Sequence, residues 1–162
     1  MIKKNNRGST LVEMLIYMGI FSILLVVFLQ IFSMTLDSQK ESQNTSSIAQ
    51  DGKFIIARLS YDIPEAQTIV SPTLGGQDSI LQLTKGSDTY TYGITNNNLT
   101  LTTGSEIDRL NSANTTVSNI SFKRLGNSGG KNTIQVRFTI TGIVLGNKNS
   151  DTETFQTTIG QR

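Results

Sequence analysis

The sequence has no cysteine, no histidine and no tryptophan. Without cysteine, a disulfide-stapled exported domain is excluded. Without imidazole or thiolate, the commonest general base, the strongest nucleophile and any zinc cluster go too. Proline is almost absent: none occurs before Pro64, and Pro72 is the other. Charge is scarcest in one place, for no charged side chain stands between Glu13 and Asp37.

That uncharged interval organises the rest. Gly8 to Leu36 reads GSTLVEMLIYMGIFSILLVVFLQIFSMTL, preceded by the cations Lys3, Lys4 and Arg7. At about 1.5 Å of rise per residue, Met14–Leu36 as a helix is roughly 34 Å long, enough to cross a bilayer core. Glu13 is the exception, since a carboxylate drawn fully into hydrocarbon costs on the order of several kcal/mol. Either Glu13 lies at the water interface, or something neutralises it. A secretory signal would place small residues after the apolar run, and Gln30–Asp37 (QIFSMTLD) offers no such site. The small residue, Gly8, comes before the run. Gly19 stands alone, so there is no GxxxG pair for helix packing.

Basic leader, Gly8, Glu13 five residues on and a charge-free span together resemble the leader of type IV prepilins and type II secretion pseudopilins. The matching run is Arg7-Gly8-Ser9-Thr10-Leu11-Val12-Glu13. The resemblance implies cleavage between Gly8 and Ser9 by a prepilin peptidase, then N-methylation of Ser9. It implies that Glu13 compensates the Ser9 amine, its own or a neighbour's, as helices bundle. Members of this family usually begin the mature chain with Phe or another apolar residue, and here it is Ser9. Major pilins commonly carry proline at the position held here by Gln30. The missing proline, Ile20-Phe21 and the run Arg58-Leu59 … Asp62-Ile63-Pro64 … Ala66 look more like minor pseudopilins of the J type, or minor pilins.

The formal charge of +2 has to be read with the leader in mind. Three of the fourteen basic residues lie there, which leaves eleven against twelve acids once it is removed. A near-neutral mature chain argues against nucleic acid as a partner. The leader cations instead favour a cytoplasmic N-terminus and an exported C-terminal part.

After the span, Asp37–Ser47 (DSQKESQNTSS) has no apolar residue and reads as a solvated helical continuation or a flexible tether. Apolar residues return at helical spacing with Ile48, Ile55, Leu59 and Ile63. Gly52 lies on that stripe, where a neighbour could approach closely, and the helix should end before Pro64. From Gln67 the period becomes two. Ile80/Leu81/Leu83, Tyr90/Tyr92/Ile94 and Leu99/Leu101 form short strands, with Asn96-Asn97-Asn98 as a hairpin turn. Thr133–Val144 is the clearest strand, with Ile134, Val136, Phe138 and Ile140 on one face. Ile120/Phe122 and Phe155/Ile159 suggest two more, and Gly75-Gly76, Gly126–Gly130 and Gly146–Asn149 read as turns. The expected fold is α+β: a long N-terminal helix packed on a C-terminal antiparallel sheet.

Other candidate sites reduce to simpler readings. Glu106/Asp108 and Asp151/Glu153 are pairs, and calcium needs six to eight oxygens, so these are solvated charges. Lys123, Arg124 and Arg137 could form a basic patch, but cations also blunt exposed strand edges, and that reading is preferred. Tyr90 and Tyr92 are core or half-core residues.

The sequence is thus expected to divide into a leader, 1–8; a membrane and filament-core helix, 9–36; a polar then amphipathic helix, 37–66; and an exported β-rich domain, 67–162. The implied function is that of a minor pilin or pseudopilin, a structural subunit and not an enzyme, with no cofactor or metal. Implied partners are other pilin subunits, the prepilin peptidase/methyltransferase and the inner-membrane assembly machinery. The implied location is the bacterial inner membrane, then an extracytoplasmic filament. Two rivals are a non-assembling single-pass membrane protein with an exported binding domain, and an anchored enzyme or adhesin.

Overall fold

The computed structural model describes residues 10–127, 129–143 and 150–162. Among the described residues one helix, α1 (Leu11–Glu65), is followed by nine strands. These are β1 (Thr68–Ser71), β2 (Gln77–Asp78), β3 (Leu81–Lys85), β4 (Asp88–Thr95), β5 (Asn98–Thr103), β6 (Glu106–Arg109), β7 (Thr115–Leu125), β8 (Thr133–Gly142) and β9 (Thr152–Gly160). The α+β class is as expected. Two compact units divide within α1, one up to Glu41 and the other from Ser42 onward. The polar stretch 37–47 stays helical, so of its two readings the solvated continuation holds.

The helix runs past its expected end, to Glu65, with Pro64 inside its last turn. Pro64 removes one hydrogen bond, to the carbonyl of Ser60, and Ser60 is exposed. Beyond it the chain turns off with a tighter bond from Ala66 N–H to the Ile63 carbonyl, at 3.3 Å. Its C-terminal end is also tied by Arg162 N–H, which donates to the Pro64 carbonyl at 3.2 Å.

In place of the single sheet expected, the strands form two antiparallel ones, in the orders β1-β3-β4-β5-β6 and β2-β7-β8-β9. The hairpin between β4 and β5 turns on Asn96 and Asn97, with φ of 50° and 61°. That left-handed conformation is one asparagine tolerates better than most residues, and it suits a two-residue hairpin. The alternation in β8 is complete, with Ile134, Val136, Phe138 and Ile140 fully buried. Sequence pattern alone passes over β1, β2 and β6, which are two to four residues long. Val144 and Gly146–Asn149 lie outside the described residues.

The second half of α1 supplies the other wall of the core. Ile48, Ile55, Leu59 and Ile63 are buried at the expected spacing. Gly52 is the close approach: a Cβ there would lie 2.3 Å from the ring of Phe155, which stacks on Phe138 with centroids 5.4 Å apart.

Two buried carboxylates fasten this half-helix to the strands. Asp51 accepts from Ser112 N–H at 2.9 Å, from Ser112 Oγ at 2.8 Å and from the Thr115 hydroxyl. Asp62, only 2 % exposed, accepts from the Tyr92 hydroxyl and from Arg58 Nε at 2.8 Å. Lys85 Nζ lies 4.0 Å from the other oxygen of Asp62, pairs with Glu65 and sits over the Tyr61 ring. Its bond to Glu65 raises the Lys85 pKa. Burial, and then the bond to Asp62, push the Tyr92 phenol well above its ordinary range. At Asp51 three hydrogen bonds offset the cost of burying the carboxylate; Asp62 accepts two, both on one oxygen.

Gly52→Ala is expected to cost about 1–3 kcal/mol in denaturant unfolding, because the ring must move; Phe155→Leu should recover part of it. Tyr92→Phe should cost about 2 kcal/mol by losing a buried bond to a charged acceptor. The raised phenol pKa has a defined sign. Its contribution is complete below the unfolded value near 10 and falls as pH rises through the folded one, since the unfolded chain deprotonates first. Stability measured above about pH 10 should therefore drop, and Tyr92→Phe should flatten that drop.

Candidate functional site: the apolar half-helix and its first turn

The helix starts because Thr10 caps it. Its carbonyl accepts the first helical bond, from Met14 N–H at 3.2 Å, and its hydroxyl accepts from Glu13 N–H at 3.3 Å. Thr10-x-x-Glu13 is the spacing of a capping box, a signal legible in the sequence that the search for charge and small residues passes over. Glu13 thus sits in the first turn, where the helix dipole favours a carboxylate. The Tyr17 hydroxyl, one turn on, donates to Glu13 Oε1 at 2.9 Å. Glu13 is exposed.

Past Glu13, from Met14 to Leu36, the helix is uncharged and mostly apolar on every side, and every residue from Leu11 to Leu36 is exposed. A helix of that composition belongs in a protein core or a membrane, and this one is long and apolar enough to cross a membrane. Two of its hydroxyls agree with such a solvent. Ser22 Oγ donates to the Met18 carbonyl at 2.7 Å, and Thr35 Oγ1 to the Ile31 carbonyl at 3.0 Å. Neither brings an unsatisfied donor into hydrocarbon. Gly8 and Ser9 lie outside the described residues.

The remaining candidates are scattered. Glu106 and Asp108 stand on β6, opposite Thr103 and Leu101, and Asp151 accepts from Thr45 Oγ1 at 3.0 Å. Among the described residues, no group of three acidic residues is placed to hold a metal ion. The basic trio divides. Arg124 Nη1 donates to the Ile69 and Pro72 carbonyls at 2.7 and 3.3 Å, while Arg137 Nη2 donates to Gln156 Oε1 at 2.8 Å. Nor do these cations guard an edge: β7 and β8 lie inside their sheet, which corrects the sequence reading. Strand order depends on long-range pairing, which local alternation does not report. A cleft of about 490 Å³ is lined by Ile80, Thr91, Thr95, Thr100, Thr102 and Asn119. It carries hydroxyl and amide groups and no charge.

The segment around the first turn also has a counterpart among known proteins. Residues 3–29 match a family model described as the prokaryotic N-terminal methylation motif. No curated protein and no solved structure matches the chain. The matched segment holds Lys3, Lys4 and Arg7, Gly8, Ser9, the Thr10 cap, Glu13 and most of the apolar run, and it supports a type IV pilin-like precursor anchored in a membrane.

Proposed function

We propose that the chain is a minor subunit of a type IV pilin-like filament: a type II secretion pseudopilus, a competence pseudopilus or a type IV pilus. One coincidence carries the reading. The segment that matches the methylation motif is also the segment whose apolar surface is wholly exposed, with a lone carboxylate in its capped first turn. The proposed arrangement is a leader at 1–8, a membrane and filament-core helix at 9–36, a helical continuation at 37–66 and an exported domain at 67–162.

The mechanism is assembly, with no chemistry beyond processing. Lys3, Lys4 and Arg7 hold the N-terminus in the cytoplasm, where a prepilin peptidase cuts between Gly8 and Ser9 and methylates the new amine. On extraction into a helical bundle, neighbouring apolar faces replace lipid around Leu11–Leu36. Glu13 then meets the Ser9 amine. At an effective dielectric near 20, unit charges about 4 Å apart attract by roughly 4 kcal/mol. Methylation leaves the amine cationic, so the pair survives it. Gln30, where major pilins commonly have proline, leaves the helix without a built-in break. That supports a minor, J-type position.

Co-expression with a prepilin peptidase should remove residues 1–8 and leave a chain beginning at Ser9, read by intact-mass spectrometry. A chain still beginning at Met1 would overturn the proposal in favour of a non-assembling single-pass protein. Glu13→Ala should leave the unfolding midpoint of the exported part unchanged while lowering incorporation into filaments. The expected loss is about tenfold or more, the change that about 1.4 kcal/mol produces. Incorporation at the wild-type level would remove Glu13 from the mechanism.

A further inference from the structure

The two sheets differ in the edges they leave open. The hydrogen bond from Leu110 N–H to the Leu99 carbonyl sets the alternation on β6. Only Ile107 and Arg109 there turn backbone groups outward. The edge formed by β9 is longer, nine residues in unbroken register with β8 from Thr133↔Gly160 to Thr141↔Thr152. Gly142 N–H donates to the Asp151 carbonyl at 2.9 Å, and Gln161 N–H to the Asn132 carbonyl at 2.8 Å. The odd-numbered residues of β9 therefore bond to β8, and the even-numbered ones turn N–H and C=O away from it. Those are Thr152, Thr154, Gln156, Thr158 and Gly160, all exposed. Among the described residues no strand pairs with that side.

Exposed edges are ordinarily blunted by lysine, proline, a bulge or short length. β9 has no lysine, no proline and no bulge. Its charges lie at opposite ends, with Asp151 and Glu153 at the start and Arg162 just past the finish. A second copy laid antiparallel sets the acidic start of one strand against the basic finish of the other. A parallel copy would stack like on like. Between them Thr154 to Thr158 is neutral, so no like charges meet where the two strands cross their common axis.

We propose that the outer edge of β9 pairs antiparallel with β9 of a second copy of this chain, joining two four-stranded sheets across a two-fold axis. Such a contact is self-complementary and closes after two subunits. It is separate from assembly through the N-terminal helix and does not depend on cleavage after Gly8.

The cysteine-free sequence makes the test clean. In the full chain, in detergent, Thr154→Cys and Gln156→Cys are treated singly with a short bis-maleimide, with Ser87→Cys in the exposed β3–β4 turn as control. Both edge positions should give a homodimer and the control none. In the Gln156→Cys background, Thr158→Pro removes an outward N–H without touching the β8 ladder, and Thr154→Lys adds a guard charge. Each should abolish the dimer while circular dichroism and the unfolding midpoint stay unchanged; if the proline variant fails to fold, the lysine variant gives the same reading. No edge dimer, a dimer that persists in a folded edge-blocked variant, or cross-linking only to a different protein in the membranes of expressing cells would overturn the proposal.

Discussion

A rod of twenty large apolar side chains between Leu11 and Leu36, all exposed, has to be taken out of water, and much of the rest of the molecule follows from that. At roughly 1.5–3 kcal/mol for each such side chain buried, the driving force is on the order of tens of kcal/mol. Glu13 opposes it by several kcal/mol at most. The apolar term wins, so this half of the helix goes to lipid or to other helices whatever the acid does. The acid decides where the rod stops. Capped by Thr10 and touched by Tyr17, it stays near one end, where a small displacement returns it to water.

The same helix meets a different requirement from Ser42 onward. There it supplies a single apolar stripe to a core shared with two sheets, and specific bonds keep that stripe in register. Asp51 holds the helix to the segment leading into β7, and Asp62 holds it to β4. Gly52 lets the helix come down onto the Phe155–Phe138 stack. Removing one partner from either carboxylate would leave buried charge uncompensated, so these residues specify position more than they add stability. Asp37–Ser47, with neither an apolar stripe nor a hydrophobic surround, remains helical because both flanks are. Helix propagation is far easier than nucleation.

Much of this was legible in the linear pattern. Leu11–Leu36, the stripe from Ile48 to Ile63, the notch at Gly52, the Asn96–Asn97 turn and the alternation of β8 are local periodicities, and each reappears in the structure. The short strands β1, β2 and β6 were not legible, because two to four residues carry too little alternation. The helix end was placed too early, since Pro64 in a last turn forfeits only one hydrogen bond. Arg124 and Arg137 could not be separated, because their partners lie 55 and 19 residues away.

The sequence by itself determined the solvent of each segment: a charge-free run demands hydrocarbon, and period-two strands demand a one-sided core. It also placed the lone acid and the small leader residue on which the proposed processing rests. Only the tertiary structure decided that the strands divide into two sheets, that Asp62 meets Tyr92 across thirty residues, and that β9 is left with an open side. Periodicity is a property of neighbours along the chain. Strand order, and the partner of a buried charge, are settled by the packing of segments that the chain keeps far apart.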